Sequence, residues 1–127
     1  MQDIAIEASE QCERLTIPEI FDLKKMKDVI ESWDKKRIIL YGDETIRKRD
    51  EIKFDFQNLH FKSLGAILIG PEGGFNNDEI NYLRKKPFIK PIDLGPRILK
   101  SDTAVITTLV LWHCLNGNMK KYTQFNN

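Results

Sequence analysis

The chain has 127 residues, enough for one domain that buries its own core without staples. Hydrophobic residues make up 41% and charged residues 31%, the balance of a soluble globular chain and not of a disordered one. Lys and Arg number 20 against 19 Asp and Glu, so the net charge of +1 excludes a global attraction to anions and leaves only local patches.

Cys12 and Cys114 lie far apart and outside any C-x-x-C spacing, as expected of reduced thiols in a cytosolic protein. The longest apolar run, Ala104 to Leu115, is interrupted by Thr107, Thr108 and His113 and is too short to span a bilayer. The amino terminus has no signal-peptide stretch. These features predict a cytoplasmic chain without a membrane partner.

Along the chain, Ile4, Ala5, Ala8, Cys12 and Leu15 fall at helical spacing and predict an amphipathic helix over 3–15. Glu7, Gln11 and Arg14 form a polar row on its other side, and Pro18 closes the element. Asp22 is the expected cap of a second helix with an apolar stripe of Leu23, Met26, Val29, Ile30 and Trp33. "RIILYG" (Arg37 to Gly42) predicts a short buried strand closed by glycine. Residues 43–62 are densely charged, with Arg47, Lys48 and Arg49 adjacent, and predict a surface excursion.

"LGAILIG" (Leu64 to Gly70) predicts the second strand. Asn76 or Asn77 then caps a helix with Asp78 and Glu79 in its first turn and Arg84, Lys85 and Lys86 in its last, matching the helix dipole at both ends. "IKPIDLG" predicts a third strand, broken early by Pro91. Ser101 or Asp102 caps a last helix that stops at Asn116 and Gly117. That helix is apolar on nearly every side, which requires burial in a core or against another subunit.

Strands alternating with helices give an α/β domain with a largely parallel sheet flanked by helices. In such sheets ligands bind beyond the carboxyl ends of the strands. Three glycine-bearing turns follow the three strands: "YG" at Gly42, "GPEGG" at Gly70 to Gly74, and "LGP" at Leu94 to Pro96. Together they predict one pocket lined by backbone, where missing side chains let a ligand approach closely. The glycine-rich turn is neither G-x-G-x-x-G nor a P-loop, which argues against dinucleotide and triphosphate binding. His60 and His113 lack partners at metal-ligand spacing, so no metal is expected and His113 reads as structural. No serine sits in G-x-S-x-G.

The wording of three blocks goes further. "IGPEGGF" followed by "DE", then "LGPRILKSDTA", and before them "EASEQCERLTIPEI" (Glu7 to Ile20), stand in order across roughly residues 4–117. Together they resemble the RsmE family, the uridine N3-methyltransferases of 16S ribosomal RNA within the SPOUT superfamily. The resemblance implies a SPOUT-type trefoil-knotted fold, S-adenosylmethionine as cofactor, the small-subunit 16S RNA as partner, and a homodimer through the carboxyl-terminal helix region. It also implies that residues 1–127 form the methyltransferase domain, without the family's amino-terminal PUA-like barrel and first β-α-β portion.

On that resemblance, the backbone of Leu40, Gly70, Leu94, Ile98 and Leu99 reads the adenine and ribose, with Pro71, Glu72, Gly73, Gly74 and Gly95 completing the cofactor loops. Two roles stay open for Glu72: holding loop amides, or facing the sulfonium or the uridine. The N3 of uridine must lose a proton, so a base or a cation favouring the anion is required. Arg14 and Arg97 are the catalytic candidates, and no residue stands out as proton acceptor. Gln11, Arg14, Arg47, Lys48, Arg49 and Lys100 are the candidate RNA contacts. Where the family usually reads R-I-L-R-T-E-T-A, Lys100 replaces an arginine and forfeits its bidentate grip on phosphate. Two other classes remain in view: a SPOUT enzyme with a different RNA target, and a non-catalytic RNA-binding or assembly module.

Overall fold

A computed structural model of the chain describes residues 1–43, 45–46 and 65–115. It divides into two compact units, Met1–Trp33 and the remainder from Asp34.

The first unit holds helices α1 (Gln2–Gln11) and α2 (Met26–Glu31). The expected helix over 3–15 ends four residues early. Glu13 adopts φ 54, and two hydrogen bonds close the end, Glu13 N to Glu10 O (3.0 Å) and Arg14 N to Ser9 O (2.9 Å). This is a Schellman ending with glutamate at the left-handed position. That backbone state costs a non-glycine residue about 1–2 kcal/mol, and with glutamate in place of the usual glycine the stop carries no mark in the sequence. Arg14 therefore lies outside the helical row of Glu7 and Gln11.

The buried side of α1 also differs from the expectation. Ile4 is 69% exposed and Leu15 fully exposed, while Ser9 is buried with its hydroxyl donating to Ala5 O at 2.7 Å. That internal bond satisfies the hydroxyl and allows its burial. Asp22 does not cap α2. The helix starts after Lys25, without a side-chain cap, which leaves Leu23 outside it and fully exposed.

The second unit is built on β1 (Ile39–Gly42), β2 (Ala66–Leu68) and β3 (Ile89–Ile92). They form a parallel sheet in the order β2-β1-β3. Leu40 pairs with Ile67 on one side and Lys90 on the other. The central strand is buried on both faces, as its unbroken apolar run requires: Ile39, Leu40 and Tyr41 are all 5% exposed or less. Pro91 does not break β3. It sits within the strand opposite Tyr41, and among the described strands β3 lies at the edge of the sheet, where a missing N–H is tolerated.

Helices α3 (Asn77–Arg84) and α4 (Ser101–Leu115) complete the unit. Asn76 is the cap of α3, in a reciprocal box: Glu79 N donates to Asn76 Oδ1 at 2.9 Å and Asn76 N to Glu79 Oε2 at 2.8 Å. Helix α4 begins at Ser101, so Ser101 and Asp102 belong to its first turn and do not precede it. Its expected stop at Asn116 and Gly117 lies outside the described residues. Leu111 and Trp112 of α4 pack against the fully buried pair Leu40 and Ile92. Successive strand side chains point to opposite faces, and Tyr41 accordingly meets Arg84 of α3 through Asp43. Thr108 is fully buried because its hydroxyl donates to Ala104 O at 2.7 Å. The opposite face of α4 is left open among the described residues: Ile106 is 64%, Val110 47% and Leu109 42% exposed.

Candidate functional site

All three strands run the same way, so their carboxyl ends lie at one edge of the sheet. The segments that follow enclose a cavity of about 890 Å³, a figure that includes the part open to solvent. Gly42, Asp43 and Thr45 line it after β1, Ile69 to Phe75 after β2, and Asp93 to Gly95 after β3. Arg97, Ile98, Leu99 and the first turn of α4 close it. The expected meeting of three glycine-bearing turns is thus what the structure shows.

The glycine-rich turn is built by one hydrogen bond, Gly74 N to Pro71 O at 2.8 Å, which places Glu72 and Gly73 at its centre. Gly74 has φ 72 and needs glycine for that reason. Gly73 does not: its φ is not positive, and a Cβ built there meets no protein atom within 4 Å. Gly73 is exposed, with open space beside it, and it lines the cavity. In the third loop Gly95 has φ 112, and its N–H donates to Asp93 Oδ1 at 3.0 Å. Its missing Cβ likewise faces open space.

Of the expected cofactor residues, Gly70, Pro71, Glu72, Gly73, Gly74, Leu94, Gly95, Ile98 and Leu99 all line this cavity. Leu40 does not. It is fully buried in the middle of β1, and Gly42 and Asp43, two and three residues on, reach the cavity instead. Arg97 lines the cavity and is exposed, whereas Lys100 is exposed outside the lining. Gln11 and Arg14 are exposed in the first unit. Arg47, Lys48 and Arg49 lie outside the described residues.

One part of the site escaped the sequence. Asp43, expected to open a surface excursion, is 2% exposed and sits at the centre of a hydrogen-bonded cluster. Its Oδ2 accepts from Arg84 Nη2 (2.6 Å), Arg84 Nε (3.0 Å) and the Tyr41 hydroxyl (3.1 Å). Its Oδ1 accepts from Thr45 Oγ1 (2.7 Å) and Thr45 N (3.0 Å). Arg84 Nη2 also donates to Thr45 Oγ1 at 2.6 Å. The Arg84 side chain is 16% exposed and that of Asp43 fully buried.

Burial alone would raise the Asp43 pKa. The hydrogen bonds from Thr45 and Arg84 and the guanidinium charge outweigh it, and the carboxyl is held below its ordinary range. Burial and the adjacent carboxylate together push the Tyr41 phenol well above its own. Position was the available signal, since Asp43 directly follows the strand-closing Gly42 at the edge where ligands bind. Arg84 gave none, being already explained by the dipole of α3.

Among the described residues no cluster of three His, Cys, Asp or Glu side chains could hold a metal ion, and no helix is long and apolar enough to cross a membrane.

Residues 1–113 match the family model described as RNA methyltransferase domain. A protein of Buchnera aphidicola (subsp. Schizaphis graminum) named ribosomal RNA small subunit methyltransferase E is 40% identical over 120 residues, 93% of this chain and 46% of its own. The protein of the same name from Rickettsia conorii is 36% identical over 116 residues, 91% of this chain and 46% of its own. The chain spans about half the length of these curated relatives.

Among solved structures, a probable rRNA methyltransferase of Porphyromonas gingivalis superposes with a TM-score of 0.71 at 28% identity, covering 92% of this chain and 48% of that one. Ribosomal RNA small subunit methyltransferase E of Neisseria gonorrhoeae, bound to S-adenosyl methionine, superposes with a TM-score of 0.74 at 23% identity, covering 90% and 46%. The second likeness bears on the fold alone. The α/β fold of this chain is thus of the SPOUT type found in these enzymes. The carboxyl-terminal segment that the expected trefoil would thread continues past residue 115, outside the described residues. From its match over residues 1–113 and its glycine-lined cavity beyond a parallel sheet, the chain belongs to the RNA methyltransferase domain family.

Proposed function

We propose that the chain carries the cofactor-binding and catalytic domain of an S-adenosylmethionine-dependent enzyme that methylates N3 of a uridine in 16S ribosomal RNA, in the cytoplasm. The observation that carries this reading is the cavity itself: three loops at one sheet edge, with Gly42, Gly70, Gly73, Gly74 and Gly95 in the lining and open space where Gly73 and Gly95 lack a Cβ. Such a lining suits a ligand recognised by its adenine and ribose edges. The relatives' names, and the methyl donor bound to the gonococcal protein, support it.

In this reading the turn Gly70 to Gly74 and the segment Leu94 to Leu99 hold the cofactor, whose sulfonium supplies an electrophilic methyl group. In-line transfer depends mostly on placing nucleophile and methyl together. Arg97, exposed at the rim of the cavity, favours the uridine anion. Arg14 and Gln11, exposed in the first unit, address the RNA, as does Lys100 with Arg47, Lys48 and Arg49. The residues 1–127 act as the methyltransferase domain, with the PUA-like barrel as the family's separate RNA-binding part. A homodimer belongs to the same proposal: Ile106, Leu109 and Val110 form an exposed apolar row at i, i+3 and i+4 on α4, the face a second copy would cover.

Gly73→Val tests the cavity. A valine at that position meets no protein atom near its Cβ, so the variant should fold with an unchanged circular dichroism spectrum. Its branched side chain should fill ligand space and weaken S-adenosylmethionine binding, read by calorimetry, at least tenfold. Placed in a chain that also carries the RNA-binding barrel, it should also abolish N3-methyluridine in 16S RNA of treated small subunits. A folded variant with unaltered affinity would remove the cofactor from this cavity.

A further inference from the structure

We propose that Asp43, clamped by Arg84, is the positioning residue that sets the three cavity loops relative to one another. The inference rests on the cofactor reading above for its consequence, but its structural basis stands apart from it.

Each loop is linked to Asp43 by its own route, one directly and two through a neighbouring residue. The loop after β1 is held directly, because both Thr45 hydrogen bonds end on Oδ1. The end of β3, from which the third loop departs, is held through the backbone of the same residue: Asp43 N donates to Ile92 O at 3.0 Å. Beside it, the Leu94 side chain lies 3.0 Å from where a Gly42 Cβ would stand. The glycine-rich loop is reached through Tyr41, whose hydroxyl donates to Asp43. The Tyr41 ring meets Phe75 edge-on at 6.1 Å, and Phe75 packs over Gly70, 3.1 Å from a Cβ built there. Arg84 fastens the whole to α3, 41 residues away in sequence.

The same geometry excludes Asp43 as a proton acceptor, although among the described residues it is the buried carboxylate of the cavity. Five hydrogen bonds converge on its two oxygens, which fills the roughly four acceptor positions a carboxylate offers. A proton taken from a substrate would have to displace Arg84. Asp43 therefore acts through the loops and not on the reacting atoms.

Two conservative variants test this. Arg84→Lys keeps the charge but loses the two-pronged grip, and Asp43→Asn keeps the shape but loses the charge. Amide hydrogen exchange reads the loops without any cofactor. In Arg84→Lys the amides of Asp43, Thr45 and Gly74 should all exchange at least tenfold faster, while Leu40, in the central strand, slows or accelerates by less than threefold. Acceleration of Thr45 alone would overturn the proposal, because the other loops would then be set independently. Equal acceleration of loops and strand would overturn it too, since that is general destabilisation.

With S-adenosylmethionine as the probe, Asp43→Asn should bind at least tenfold more weakly, and Arg84→Lys by an intermediate factor. Unchanged affinity in a folded Asp43→Asn would contradict the positioning role. If the native chain bound no S-adenosylmethionine, the cofactor reading would fail, and the exchange pattern would still decide the clamp.

Discussion

Arg84→Ala is expected to destabilise the chain by about 3 kcal/mol at neutral pH, the lower end of the range for removing one partner of a buried ion pair. Asp43 has a fully buried side chain and would lose two of its hydrogen bonds and its counter-charge at once. The low end applies because the Arg84 side chain is 16% exposed, so water can enter the vacated space.

The pH dependence identifies charge as the cause. In the native chain the Asp43 pKa is lowered from an ordinary value of about 3.9. Its contribution is therefore present above about pH 4 and is lost as pH falls through the lower folded-state value. Without Arg84, burial is opposed by the Thr45 hydrogen bonds but by no counter-charge, so the carboxyl takes up its proton at higher pH. The difference in stability between native and variant chains should thus shrink steadily as pH is lowered from 6 to 3. Urea unfolding across that interval measures it. A difference that stays near 3 kcal/mol throughout would mean that Arg84 acts by packing and not by its charge.

Gly65→Ala is expected to be comparably severe, for a steric reason. A Cβ on Gly65 would fall inside the volume of the Trp112 indole, a rigid ring already packed against Leu40 and Ile92. Either β2 or α4 must move, and overpacking of this kind costs about 3 kcal/mol, the upper part of its usual range. The urea midpoint should fall without a change in slope, as for a loss of stability alone. Trimming the ring in Gly65→Ala/Trp112→Leu should restore at least half of the loss caused by the alanine, relative to Trp112→Leu alone. A Gly65→Ala variant as stable as the native chain would mean that the indole does not stand over β2.

The sequence showed the sheet and its cavity plainly because both rest on local signals. Runs such as Ile38 to Tyr41 are apolar at consecutive positions, which suits a strand covered on both faces, and each ends near a glycine at the edge where ligands bind. Asn76 and Glu79 announced the start of α3 through their spacing. The first unit was less legible. Glu13 holds a conformation in which glycine is usual, so the end of α1 carried no mark, and Ile4 and Leu15 matched a buried stripe while remaining exposed.

The Asp43 cluster was hidden for a different reason. A carboxylate beside further charged residues reads as solvated, and nothing local pairs it with Arg84, 41 positions later. Leu40 shows the reverse error. A residue near the end of a strand was assigned to the ligand, but the sheet closes around it and the next loop lines the cavity instead.

Titrating the isotope-labelled chain with S-adenosylmethionine and following its backbone amide resonances tests the central claim most directly. Saturable shifts should concentrate at Gly42 and Asp43, Gly70 to Phe75, and Leu94 to Leu99, the three segments that enclose the cavity. Shifts confined to other parts of the chain, or none in these segments at millimolar ligand, would contradict the assignment of this cavity to the cofactor.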